Sequence, residues 1–319
     1  MAKYDVYAKY KENNREFFKK TENKFKSYVK LKFGYVKNKT KELEKFKRFI
    51  QNINKRYVIG DCKEITQISG IYTDCKKLRK HIEKLPKYSF AIWSKIKLKA
   101  PYFSKDDDEF YIIQNPILKE TNFKVPMVRG SSIKGALLHS AIDILNEEVN
   151  IENLKSFFRI FGVGNDTFRA IFKKEGIDKN QLQLFLAFEI GINPDKNLEE
   201  AFEKYKQSKA QKGRAIFYPI FFDKLSLEVI NPHDRKTKAG TKPIYYEVVP
   251  KDSESTLQII YIPFDAILED DKKIQKEAKQ DLEFLTKCIE RLSKNGLGAK
   301  TKLGWGRFTY DIKTEWSKS

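Results

Sequence analysis

Arg129-Gly-Ser-Ser-Ile-Lys-Gly135, entered through Val125-Pro-Met-Val and continued by Ala136-Leu-Leu, combines the residue types that a bound phosphate requires. Gly130, Ser131 and Ser132 are small enough to let an anion reach the backbone. Their N–H groups stand free where the chain turns into a helix, and the two hydroxyls and Lys134 add donors and charge. The alternative is that the serines only cap the helix and Lys134 is solvated. A nucleotide-hydrolysing loop would need GxxxxGK followed by Ser or Thr, which this stretch does not supply.

A second segment, Gly296-Leu-Gly-Ala-Lys-Thr-Lys-Leu-Gly-Trp-Gly-Arg-Phe308, holds four glycines, three cations and an aromatic. Gly298 and Gly304 let a backbone lie against RNA, Lys300, Lys302 and Arg307 neutralise phosphates, and Trp305 offers a ring for a base. The competing reading is a glycine-rich hairpin with Trp305 in the core. A dinucleotide-binding turn is excluded, because that motif follows a strand and opens a helix, whereas this one follows a helix and leads into a strand.

Acid–base candidates are sparse. Asp106, Asp107 and Asp108 lie together in the polar run SKDDDE, which reads as a solvated turn, and His81, His139 and His233 are scattered. Cys62, Cys75 and Cys288 show no CxxC spacing, so neither a zinc site nor a disulfide framework is indicated, and no metal or cofactor is expected.

The elements that must position the two turns are legible from periodicity. Phe90, Ile92, Ile96 and Leu98 alternate along a strand between Tyr88 and Pro101. Gly135 to Leu145 reads as a helix, with Ala136, Leu137, Ser140, Ala141, Ile144 and Leu145 on its buried face and Ser131 and Ser132 ahead of it. Strands are expected over Ala215 to Phe222, Tyr245 to Val249 and Thr256 to Ile262, with the polar stretch between Ile230 and Pro243 as a loop or hairpin tip. Lys272 to Leu292 predicts an amphipathic helix through Ile274, Ala278, Leu282, Leu285, Ile289 and Leu292. Gly296 is expected as its left-handed C-cap, and a last strand spans Gly306 to Ile312.

Residues 1–85 read differently: the first fifty hold 16 Lys or Arg against 6 Asp or Glu, and helical spacing recurs through Phe17, Phe18, Phe25, Tyr28 and Val29, then Leu43, Phe46, Phe49 and Ile50. A basic helical extension over 1–85 and a main domain over 86–319, divided at Pro86, are expected. The whole chain of 319 residues has 63 Lys and Arg against 43 Asp and Glu, a formal charge of +20, which points to a polyanionic partner. No apolar run approaches the roughly 20 residues that span a bilayer, and the N-terminus lacks a signal peptide's apolar core, so a cytoplasmic protein without a membrane partner is expected.

The order and spacing of VPMVRGSSIKGALL and the late GLGAKTKLGWGRF resemble the RAMP superfamily of type III CRISPR systems, over roughly residues 88 to 312. The resemblance implies an α+β, ferredoxin-like (RRM-like) fold with insertions. It also implies binding of crRNA and target RNA in a hetero-oligomer with other CRISPR effector subunits. The RNA-binding residues would be Arg129, Gly130, Ser131, Ser132 and Lys134, with Gly298, Lys300, Lys302, Gly304, Trp305 and Arg307. Family members that cut target RNA carry Ile-Asp-Ser-Pro upstream of the first turn. Here the stretch is Ile113-Gln-Asn-Pro116, and the amide of Gln114 can neither accept a proton nor bring charge. A non-cleaving subunit is therefore expected. Gly213-Arg-Ala-Ile-Phe-Tyr-Pro followed by Asn231-Pro-His-Asp resembles a Cmr-type terminal subunit, which implies a cap near the crRNA 3′ end. The enzyme alternative is an endoribonuclease using Asp106, Asp107, Asp108, His139 or His233. A third alternative is an RNA-binding protein outside CRISPR.

Overall fold

The computed structural model describes residues 62–106, 115–147, 150–171, 198–209, 211–232, 243–267 and 269–318, with isolated positions at 180, 182, 183, 185, 236 and 240. The periodic stretches read before residue 62, together with Asp107, Asp108, Gln114 and His233, lie outside the described residues.

In chain order the described elements begin with helices α1 (Cys62–Ile68) and α2 (Cys75–Ile82), strand β1 (Phe90–Leu98) and the short β2 (Met127–Val128). Helices α3 (Gly130–Glu147) and α4 (Ile151–Phe161), strand β3 (Gly162–Val163), and helices α5 (Asn165–Ile171) and α6 (Leu198–Lys209) follow. Then come β4 (Gln211–Lys212), β5 (Ala215–Phe217), β6 (Ile220–Phe221), β7 (Ser226–Ile230), β8 (Ile244–Val248), β9 (Glu254–Tyr261), helix α7 (Asp271–Asn295) and β10 (Phe308–Trp316).

Four strands form one antiparallel sheet in the order β10-β1-β9-β5. Taken with α3 after β1 and α7 after β9, this is the β-α-β-β-α-β succession with its fourth strand beside the first, which is the ferredoxin-like arrangement expected. Helices α3, α4 and α7 cover one face. Phe90, Ile92, Ile96 and Leu98 of β1 meet Leu137, Ala141, Leu145, Phe157, Leu285 and Ile289 there in the main core. Burial of each large side chain of this kind stabilises by about 1.5–3 kcal/mol. The intervening Ala91 and Trp93 point to the other face, where α2 covers them with Leu78 and Ile82. Alternation then continues with Lys95 and Lys97 exposed. Helix α1 and the loop after it form a separate small cluster, Ile65 of the helix and Ile71 of the loop lying against Val125 and Phe221.

Several expectations shift by a few residues. Helix α3 opens at Gly130, so Ser131 and Ser132 lie inside its first turn rather than ahead of it. The strand expected over Ala215 to Phe222 is divided at Tyr218-Pro219 into β5, which pairs with β9, and β6, which pairs with β2. Proline, with no N–H and a fixed φ, ends the first ladder. Strand β7, not anticipated, pairs with β8 in register Ile230↔Ile244, so the polar stretch between them does join a hairpin. Gly296 has φ +95° but ψ 154°, a glycine conformation more extended than a left-handed cap. Within α7, Leu282 is only half-buried, whereas Asp281 is fully buried. Among the described residues no helix is long and apolar enough to cross a membrane.

Candidate nucleic-acid interface

The first turn is built where two short elements meet. β2 pairs with β6, bringing the chain alongside the end of β5, and α3 then begins with the Ile133 N–H donating to the Arg129 carbonyl at 3.0 Å. The N–H groups of Gly130, Ser131 and Ser132 precede that first helical bond and have no acceptor within the helix. Gly130 sits so close to β5 that a Cβ would run into the Phe217 carbonyl, so the helix end can approach only as glycine. Arg129, Ser131 and Ser132 are exposed and Lys134 is half-buried. One turn on, Gly135 is also exposed, and a Cβ there would have no neighbour within 4 Å. Among the described residues nothing requires a glycine at that position, where alanine would be favoured by about 1 kcal/mol. His139 follows on the exposed side of the same helix.

The second turn is pinched at its base. The Leu297 N–H donates to the Gly306 carbonyl at 3.0 Å, and Gly306, at φ +75°, faces Leu297 so closely that a Cβ would overlap the Leu297 backbone. Between them lies a short 3-10 turn over Thr301–Leu303, flanked by Lys300 at φ +65° and Gly304 at φ +82°. Lys300, Lys302 and Arg307 are exposed. A Cβ on Gly304 would clash with nothing, its nearest neighbour being the Arg307 guanidinium in ordinary contact at 3.8 Å. Two residues are committed inward. A Cβ on Gly298 would strike the Phe103 carbonyl, so its missing side chain serves the protein's own packing. Trp305 is half-buried, edge-on to Tyr246 at 5.7 Å and Phe103 at 6.4 Å, in a small cluster with Val248. Lys300 Nζ lies 5.4 Å from the Tyr246 ring centre, a cation–π contact on the same cluster.

The two turns, far apart in sequence, are tied through Pro101-Tyr102-Phe103. The Gly306 N–H donates to the Pro101 carbonyl and the Ala299 N–H to the Phe103 carbonyl, each at 2.8 Å. Tyr102 is fully buried and its hydroxyl donates to the Met127 carbonyl at 3.3 Å, two residues before Arg129. Burial pushes its phenol well above the ordinary tyrosine range. No sequence signal marked Tyr102 beyond its place just after the first strand.

Asp106 is half-buried beside the Lys105↔Ile117 bridge, its N–H donating to the Pro116 carbonyl at 3.1 Å. His139 is on α3, a different element. Among the described residues no three His, Cys, Asp or Glu side chains are grouped to hold a metal ion. Two buried ion networks escaped the sequence reading. Lys119 and Glu247 pair at 2.6 Å behind the β7–β8 hairpin, and the Ile117 N–H donates to the same carboxylate at 3.2 Å.

The larger network joins α4, α7 and β9. Arg159 binds both oxygens of Asp281, and the Tyr261 hydroxyl donates to Asp281 at 2.6 Å. Arg214 binds Asp265 through two bonds of 2.7 and 2.6 Å and reaches Glu277 at 2.8 Å. Burial pushes the Asp281 carboxyl up, opposed by the Arg159 and Tyr261 bonds. The arginine of the Gly213-Arg214 pair is thus turned inward, where it braces the fold.

Compared with known proteins, the chain matches the sequence profile of the RAMP superfamily over residues 95–309, which spans both turns. No curated protein matches it in sequence. A chain in the cryo-EM structure of the Type III-B Cmr-beta bound to cognate target RNA superposes with a TM-score of 0.50 at 14% identity, covering 89% of this chain and 79% of that one. The crystal structure of Cmr6 from Pyrococcus furiosus gives a TM-score of 0.33 at 19% identity, covering 70% of this chain and 99% of that one. A ferredoxin-like sheet, the glycine-serine turn opening α3 and the glycine-rich turn ahead of β10 coincide with a family match over more than half of the chain, which belongs to the RAMP superfamily.

Proposed function

We propose that this protein is a crRNA-binding subunit of a type III CRISPR effector ribonucleoprotein, in contact with guide and target RNA and with neighbouring effector subunits in the cytoplasm. The observation that carries this reading is the physical union of two exposed basic turns through Tyr102 in a chain of the RAMP superfamily. Arg129, Ser131, Ser132 and Lys134 on one side, and Lys300, Lys302 and Arg307 on the other, offer backbone donors and cations to successive phosphates. The similarity to a chain of Cmr-beta bound to target RNA supports the same assignment at the level of fold.

Co-purification from the native source with a short guide RNA and other effector subunits tests the reading. A chain that purifies alone and without RNA would overturn it. Lys134→Glu is expected to weaken RNA binding and flatten its salt dependence, each lost contact to a single strand reducing the log–log slope by about 0.7.

The subunit is also proposed to be non-cleaving and to cap the filament near the crRNA 3′ end. Gln114 supports the first point, since loss of a general base typically costs about 10²–10⁴-fold in rate. In a complex whose cleaving subunits are inactivated, no cut is expected opposite this subunit. A residual cut abolished by Asp106→Ala, Asp107→Ala or Asp108→Ala would assign it as a nuclease instead.

A further inference from the structure

Single-stranded RNA bound to a ferredoxin-like sheet ordinarily lies on the face away from the helices, with bases stacked on aromatic side chains. In this protein that face is partly closed by the chain itself. The loop between α1 and α2 is clamped to the sheet by side chains of the sheet. Gln258, fully buried, accepts from the Tyr72 N–H at 2.9 Å and donates to the Gly70 carbonyl at 3.0 Å. The Trp93 indole N–H donates to the Tyr72 carbonyl at 2.6 Å. Helix α2 is held at its edge by Cys75, whose thiol donates to Glu315 at 3.3 Å, and by Arg79, paired with the same carboxylate at 3.1 Å. Burial and the Glu315 bond push the Cys75 thiol up to about 11, so it stays protonated as a donor. Trp93, the aromatic a base would need, is buried under this roof.

The outside of the roof has the opposite character. Leu78 and Ile82 face the sheet, and at helical spacing the far side carries Lys76, Lys77 and Lys80, followed by Lys84, all exposed. Among the described residues none of the four ammonium groups pairs with a carboxylate, although the Lys76 N–H donates to the capping Asp74 at 3.0 Å, whereas Arg79 is engaged with Glu315 and Glu83 lies 3.8 Å from Lys318. Like charges three and four residues apart repel by a few tenths of a kcal/mol per pair, on the order of 0.2–0.5. That repulsion is relieved when an anion lies along the helix. Among the described residues no exposed large apolar or aromatic side chain, which would mark a protein-binding surface, lies on this face, and lysine is depleted at protein interfaces.

We propose that the outer face of α2 and the turn that follows it are a further RNA contact site, separate from the two glycine-bearing turns, where Lys76, Lys77 and Lys80 of the helix and Lys84 of the turn hold the sugar-phosphate backbone of a single strand without reading its sequence. The inference rests on the RNA-binding reading above. The clamp on Gln258 and Trp93 makes the roof a fixed platform, so little ordering is needed when the backbone docks.

The test uses the full-length chain and a labelled oligouridine RNA, with affinity measured across a salt series for the parent, for Lys76→Gln/Lys80→Gln/Lys84→Gln, and for Lys134→Glu. The triple variant is expected to melt with the parent, to lose about two units of log–log salt slope and to bind at least about tenfold more weakly. Should its stability fall, Lys80→Gln alone is measured, with about 0.7 of a unit expected. An unchanged slope in a variant that melts like a binding-competent parent overturns the site. So does loss of neighbouring subunits with RNA affinity intact, which would make the face a protein contact. A parent that does not bind oligouridine, with Lys134→Glu equally silent, refutes the RNA-binding function itself and this site with it.

Discussion

The two glycine-bearing turns look alike in sequence, each a run of small residues and cations, but they divide their glycines differently between packing and unfilled space. At the turn before β10, Gly298 and Gly306 are pressed against backbone carbonyls of the protein itself, and Gly304 leaves room for a Cβ beside the Arg307 guanidinium. At the turn opening α3, Gly130 is pressed against the end of β5 while Gly135, one turn later, has none of the described residues near the place of a Cβ. A glycine therefore marks close approach without saying to what. Space already filled by the protein argues for architecture, and space left empty at a helical position that alanine would prefer argues for a ligand.

This contrast can be broken in several ways. The largest effect is expected at Gly306, where Gly306→Ala adds a Cβ into the Leu297 backbone at a positive φ. A loss of about 3 kcal/mol or more in chemical denaturation is expected, with RNA affinity falling only as folding is lost. A variant as stable as the parent would mean that the pinch is not structural. Tyr102→Phe removes the hydroxyl that joins the two turns and leaves the carbonyl of half-buried Met127 without that donor. About 1–2 kcal/mol of stability should go, together with a weaker grip on RNA, because two correctly placed turns bind better than two loose ones.

Gly304→Ala meets only the Arg307 guanidinium, in ordinary contact at 3.8 Å, but must keep a left-handed backbone, which costs about 1 kcal/mol. A larger drop in RNA affinity than in stability would place the strand against this glycine, and equal, small losses would remove it from the interface. The smallest effect is the most telling. Gly135→Ala should stabilise the protein by about 0.5–1 kcal/mol, seen as a higher melting temperature, while lowering RNA affinity. A stabilised variant with undiminished affinity would show that nothing approaches Gly135.

Local pattern made much of the scaffold readable. β1, α3 and α7 follow from spacing because each has one face turned to a large core, and burial imposes its period on the residues that line it. β7 was missed because Leu227 and Val229 lie in a two-stranded hairpin with little burial behind it, which leaves a weak alternation. Asp281 interrupts the apolar stripe of α7. Its burial makes sense only beside Arg159 and Tyr261, which come from elements 122 and 20 residues away. Leu282, the nearer apolar neighbour in the sequence pattern, is correspondingly half-exposed.

The charge, the two phosphate-type turns, their order and the strand and helix that follow each of them are properties of neighbouring residues, and the amino-acid sequence settles them. The division of glycines between packing and open space, the inward turn of Arg214 and Trp305, the tie through Tyr102 and the closure of the second sheet face by α2 depend on atoms brought together from distant parts of the chain. Sequence spacing carries no record of those approaches. They are determined when strands β1, β9 and β10 align and the loops between them must share the same space.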